Sequence, residues 1–208
     1  MSARRALRRT PYLVTAIAAL ACGLAPSSAE AHLVTTGLGP VYDGISHVLM
    51  SPDDLVPILA MGMLAGLNGP TAGRGTLFAL TGAWLAGGVA GFLVGQALLP
   101  PAVTTASFLV LGGLVATDRR LPVPVVTAVG VAVGVLHGWL NGAGVAEAQR
   151  DVLGMAGIAG ATFVVVALTS ALVVSLRSPW ARIAVRVAGS WVVAIGLLML
   201  GWSIRGGM

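Results

Sequence analysis

The chain has 208 residues, of which 57% are hydrophobic and only 9% charged, with a mean hydropathy of +0.94. That leaves too little polar surface for a soluble domain of this size and points to an integral membrane protein whose first partner is the lipid bilayer. The formal charge of +5 comes from Arg alone, in short clusters between apolar runs, which is a topological pattern and not the footprint of a nucleic-acid binder.

Met1 to Ala31 reads as a secretory signal (residues 1–31), followed by one membrane domain (residues 32–208). Arg4, Arg5, Arg8 and Arg9 form the charged region, Tyr12 to Leu24 the apolar core, and Ala29-Glu30-Ala31 the cleavage site. An uncleaved first span is the alternative, but the apolar core is short for one. Cleavage after Ala31 makes His32 the mature terminus and removes Cys22, which excludes disulfides and thiolate metal sites.

Residues 32–51 are then an extracytoplasmic segment. Six apolar segments follow, punctuated by Pro, Gly and Arg: Pro52 to Leu67, Leu77 to Leu99, Val103 to Thr117, Val123 to Leu140, Leu153 to Leu176 and Val187 to Trp202. The expected fold is all-α, a polytopic bundle of six transmembrane helices after a cleaved signal peptide. The first segment is short, so either Val41 to Met50 dips into the protein as a re-entrant piece or the bilayer thins there.

A cleaved signal puts His32 outside, and six spans alternate from it. The inside loops then hold Arg74, Arg119, Arg120, Arg177 and Arg182, with Arg186 snorkelling to the same side, while Arg150 and Arg205 stay outside. This satisfies the positive-inside rule and places the protein in a bacterial inner membrane with its mature N-terminus in the periplasm. Asp118, the one mature acid inside, has Arg119 and Arg120 beside it as pairing partners.

The other titratable groups gather at the opposite face. His32, Asp43, His47, Asp53 and Asp54 lie outside or at the mouth of the first span, His137 and Asn141 near the outer end of the fourth, and Glu147 and Asp151 in the loop beyond. Ionisable groups at membrane depth are costly and mark ion sites or paths. Ser51-Pro52-Asp53-Asp54 also has a plain reading: Ser51 as N-cap, Pro52 as first helical residue, Asp54 as capping-box partner. That reading leaves His47 and Asp43 unexplained. Imidazole with carboxylate suits nickel, cobalt, zinc or copper. Met50, Met61 and Met63 read as core filler. His32, if terminal, offers an amine and an imidazole together, a chelate for copper or nickel.

Small residues supply the scaffold. Ala83, Gly87, Gly91 and Gly95 recur every four positions, as do Gly130, Gly134 and Gly138, and Gly154, Gly157 and Gly160 give the fifth span a small face. Such spacing lets helix backbones approach closely in lipid.

On these residues the chain resembles the HupE/UreJ family, hydrogenase and urease accessory proteins regarded as nickel or cobalt permeases. The family has a cleaved signal, a nearby His, six spans and a first-span motif His-Pro-x-x-Gly-x-Asp-His, to which His47-Val-Leu-Met-Ser-Pro-Asp53-Asp54 is similar, with Ala60 to Ala65 matching the helix that follows. The later family motif His-Gly-x-Ala-His-Gly is similar to His137-Gly138-Trp139-Leu140-Asn141-Gly142. Val48, Asp54 and Asn141 depart from it, replacing a Pro and two imidazoles; the oxygens suit a harder or less selective ion.

The resemblance implies uptake of a divalent transition metal, nickel or cobalt first, and no enzyme. His47, Asp53 and His137 are the expected ligands, Asp43 and Asp54 further oxygens, Asn141 a weaker one, and His32 a capture group. Thr81, Gln96, Thr104, Thr105, Thr162 and Thr169 are the polar groups available to line a path. The rival reading is a non-transporting membrane module that binds metal or assembles with a partner metalloenzyme or with its own copies. It draws on the absence of charge deep in spans two, three and five.

Overall fold

The computed structural model describes residues 36–97 and 100–206, all within one compact unit, Leu33–Met208. The expected signal segment, its cleavage site and His32 lie outside the described residues.

Seven helices occur among the described residues: α1 (Pro40–Met50), α2 (Pro52–Leu67), α3 (Pro70–Val94), α4 (Pro101–Thr117), α5 (Val123–Glu147), α6 (Gly154–Ser175) and α7 (Pro179–Gly206). Proline opens most of them, since its fixed φ suits the first turn and its missing N–H is an orphan there anyway. α3, α5, α6 and α7 are long and apolar enough to cross a membrane; α1 and α2 make one further span if taken as a bent pair, and α4 is shorter. Most of each long apolar window faces outward, as lipid contact requires. On α7 the indoles of Trp180 and Trp202 are largely exposed. They stand roughly 33 Å apart along the axis at 1.5 Å per residue, close to the thickness of a hydrocarbon core.

Three sequence expectations are corrected here. α3 starts at Pro70, α5 runs on to Glu147 and α7 starts at Pro179, all beyond the apolar runs, because backbone hydrogen bonding continues into more polar turns once a helix is under way. Gly95 is not part of the packing face of α3; it is the left-handed C-cap, at φ 68°. Asp118 pairs with neither neighbouring arginine. Its carboxylate receives Arg182 Nε at 2.6 Å and Nη2 at 2.7 Å, a two-pronged match that ties α4 to α7.

The break between α1 and α2 follows from one residue pair. A residue before proline is driven out of the helical region. Ser51, before Pro52, is extended at φ −97°, ψ 102°, and serves as C-cap of α1 and N-cap of α2. The axes consequently meet at 74°.

α3 and α5 form the tightest pair. A Cβ on Gly87 would lie 2.5 Å from the Val135 carbonyl oxygen, one on Gly134 equally close to that of Leu80, and those on Gly91, Gly138 and Gly142 would strike the carbonyls of Trp139, Trp84 and Gly88. On α6, Gly157 meets the Val41 carbonyl in the same way, whereas Gly160 faces open space. Gly142→Ala is expected to cost about 1–3 kcal/mol, because the backbones must part. Gly144→Ala, where nothing lies within 4 Å, should be nearly neutral. Thermal unfolding in detergent compares the two.

The bundle has two chemically distinct ends. At one, Asp118, Arg182, Asn68 and Leu121 tie helix termini together: Asn68 Oδ1 accepts from the Leu121 amide at 2.7 Å and Asn68 Nδ2 donates to the Leu64 carbonyl at 2.8 Å. The starts of α2, α4 and α6 and the end of α5 lie at the other, which holds the remaining described acids and both described histidines.

Candidate metal centre

Asp54 is the hub. It occupies the first turn of α2 with 5% of its surface exposed. One carboxylate oxygen lies 3.2 Å from His137 Nδ1, and the other 3.3 Å from His47 Nε2. The second oxygen also accepts from Asn141 Nδ2 at 2.9 Å. Three helices therefore meet on one carboxylate. The expected capping box is absent: Ser51 makes no side-chain cap, and Asp54 is turned inward to the imidazoles.

The bend at Ser51 brings His47 there. It folds α1 back so that the ring reaches across to the next helix, with 14% of its side chain exposed. His137 is held more firmly. It is 1% exposed and stacked on Trp84, with centroids 5.4 Å apart and planes at 28°. The α3–α5 glycines permit that stack, since they let the two backbones touch where Trp84 and His137 sit.

Each imidazole is backed by a serine. His47 Nδ1 lies 3.3 Å from Ser51 Oγ, and His137 Nε2 3.1 Å from Ser107 Oγ on α4. Ser107 donates its own proton to the Thr104 carbonyl at 2.7 Å, so toward His137 its oxygen is an acceptor and Nε2 carries the hydrogen. Nδ1 is then the ring nitrogen that faces Asp54, and on a neutral ring its lone pair is available only to a cation lying between the two. One further acceptor stands near: Asn141 Oδ1, on the residue whose Nδ2 meets Asp54, is buried without a hydrogen-bond partner.

Among the described residues no group of three or more His, Cys, Asp or Glu residues stands in metal-holding geometry. His47, Asp54 and His137 are spaced for hydrogen bonds, not for coordination. The donor set itself, two imidazole nitrogens, a carboxylate and a spare amide oxygen, is one that suits divalent transition metals.

The structure separates the other expected ligands from this cluster. Asp43 accepts from the amide and the hydroxyl of Thr36, both at 2.6 Å, and lines a cavity of about 190 Å³ with Arg150 and Asp151. Asp53, beside Asp54 in the chain, lines a different cleft with α4 and α7. Sequence reasoning missed Ser107, Ser51 and Trp84 as neighbours of the histidines. A lone serine in the apolar run of α4 was the available signal for the first; Trp84 gave none.

Described residues that are helical throughout, with apolar helices of membrane length, define a class, the polytopic α-helical membrane proteins. The family described as "HupE / UreJ protein" matches residues 19–199, and the chain belongs to that family. No match was found among curated proteins or among solved structures.

Proposed function

We propose that this chain is a membrane permease for a divalent transition-metal ion, nickel or cobalt first and copper or zinc next, loaded at His47, Asp54 and His137. The observation carrying this reading is one buried carboxylate shared by imidazoles from two helices near one end of the bundle. Asn141 adds an amide oxygen, and Asp53, Asp43 and His32 act before the site is reached. Ligand bonds to such metals are about 2.0–2.2 Å long. The rings must therefore close in from 3.2 and 3.3 Å. His47 is the ring to move, because it hangs on the short α1 at the Ser51 break, whereas His137 is clamped between Trp84 and Ser107.

The same reading has the signal segment cleaved after Ala31, six spans with α1–α2 as a broken first one, and the site at the periplasmic face of a bacterial inner membrane. Arg74, Arg119, Arg120, Arg177 and Arg182 then face the cytoplasm, in keeping with the positive-inside rule.

A second reading, a metal-binding accessory module without transport, draws on one feature: beyond Arg74, α3, α4 and α6 carry no charged residue. The test is the metal content of purified protein beside cellular accumulation of nickel, cobalt, copper and zinc. A permease raises both for the same ion. Bound metal with unchanged accumulation selects the accessory module, and neither result sinks the metal reading.

A further inference from the structure

Two buried polar atoms beside the cluster, Trp84 Nε1 and Asn141 Oδ1, find no hydrogen-bond partner among the described residues. Both residues line one small cavity, about 10 Å³, between α3, α5 and the first turns of α6. Trp84 is only 2% exposed. The two atoms are complementary, because an indole N–H only donates and an amide oxygen only accepts. One buried water needs about 10–15 Å³ and at least two polar partners. The cavity reaches the lower figure and supplies a donor and an acceptor.

The amide of Asn141 has two faces to satisfy. A carboxylate only accepts, so the amide turns Nδ2 to Asp54, donating at 2.9 Å, and Oδ1 points the other way. An ion held by Asp54 reverses that demand, since it attracts the oxygen and repels the N–H. Half a turn about the last, soft torsion of Asn141 brings Oδ1 to the ion and carries Nδ2 away from it. Nδ2 then faces Trp84 Nε1, and two donors cannot bond each other. The indole is held by its stack on His137. A water resolves the conflict. It accepts from the indole in both states, donating to Oδ1 in one and accepting from Nδ2 in the other.

We propose that this cavity holds one water, and that the water is the adaptor that lets Asn141 turn its amide oxygen from Trp84 to the bound ion. Trp84 and Gly88 are then positioning residues, acting through the water. The amide turn rests on the metal-permease reading; the water site does not.

Gly88→Ala is the informative variant. A Cβ there would lie 3.4 Å from Met155 Sδ and 3.5 Å from the Gly138 carbonyl oxygen, both on cavity-lining residues. The methyl therefore takes the water's place at ordinary contact distance, and thermal stability should not fall. Full-length protein in detergent is labelled with ¹⁵N at tryptophan and asparagine, with Trp84→Phe assigning the indole signal and Asn68 as the other asparagine. Without metal, the Trp84 N–H should show a nuclear Overhauser contact to water, and Gly88→Ala should abolish it. With zinc, which is diamagnetic, the Asn141 NH₂ signals should gain contact with that water and shift away from their metal-free positions. Retention of nickel, cobalt or zinc by Gly88→Ala should fall about tenfold. No water contact at Trp84 in the parent, or one that survives in Gly88→Ala, overturns the water site. Unmoved Asn141 signals with zinc bound, or parent-like metal retention after the water is lost, overturn the adaptor role. A parent that retains none of the three ions sinks the metal reading and the amide turn with it, while the metal-free spectra still decide the water site.

Discussion

Asp54→Ala is expected to lose metal retention entirely and to destabilise the bundle by about 3–5 kcal/mol, the usual penalty for removing one partner of a buried charged network. The carboxylate serves His47, His137 and Asn141 at once. Its loss strands three polar side chains in a cavity. Asp54→Asn separates the two effects. The amide keeps the volume and one acceptor oxygen, so the stability cost should fall to about 1–3 kcal/mol. The charge that holds a divalent ion is gone, and metal content should still fall at least about tenfold. Thermal unfolding and metal analysis of the same preparations give both numbers. If Asn at position 54 retained metal like the parent, Asp54 would be a structural hub and no ligand.

The second large effect concerns the two histidines. His47→Ala and His137→Ala should each reduce metal retention by about tenfold or more. The double variant should lose little beyond either single change, because groups that hold one ion act as a unit. Their stabilities should differ. His137 is 1% exposed and stacked on Trp84, so truncation opens a cavity and costs about 2–5 kcal/mol. His47 lies at a helix bend with 14% of its side chain exposed and should cost much less. His137→Gln, which fills more of the space, guards against reading misfolding as lost binding. Additive losses in the double variant would mean that the histidines serve separate sites. Parent-like metal content in both singles would leave them as interhelical hydrogen bonds.

Much of this arrangement is legible in one dimension. Hydropathy locates the helices, as α2 shows with the bounds Pro52–Leu67 read directly from its apolar run. Proline and glycine mark starts and stops because their effects are local, fixing φ or removing an N–H. Arg spacing and the alternation of spans put His47, Asp54, His137 and Asn141 at one end of the bundle, since the side of the membrane depends only on how many times the chain has crossed. The four-residue glycine rows announce close packing for the same reason: they repeat with the helix.

What the chain order cannot express is rotation and partnership. Asp53 and Asp54 are adjacent in sequence and equally acidic, and the sequence reading placed Asp53 first. Only the rotation of α2, fixed by its packing along α6 where Gly62 and Gly66 meet Thr169 and Val173, turns Asp54 to the imidazoles and Asp53 to the cleft. Asp118 stood just before two expected arginine partners, Arg119 and Arg120, yet Arg182, 64 residues away, reaches it because α7 packs beside α4. Trp84 acquired its role the same way, through the glycine contacts of α3 with α5, and Ser107 through the packing of α4 beside α2 and α5. Helix formation and membrane crossing are decided by each segment's own side chains. Which two side chains meet is decided by the packed faces of different segments, and those exist only in the folded bundle.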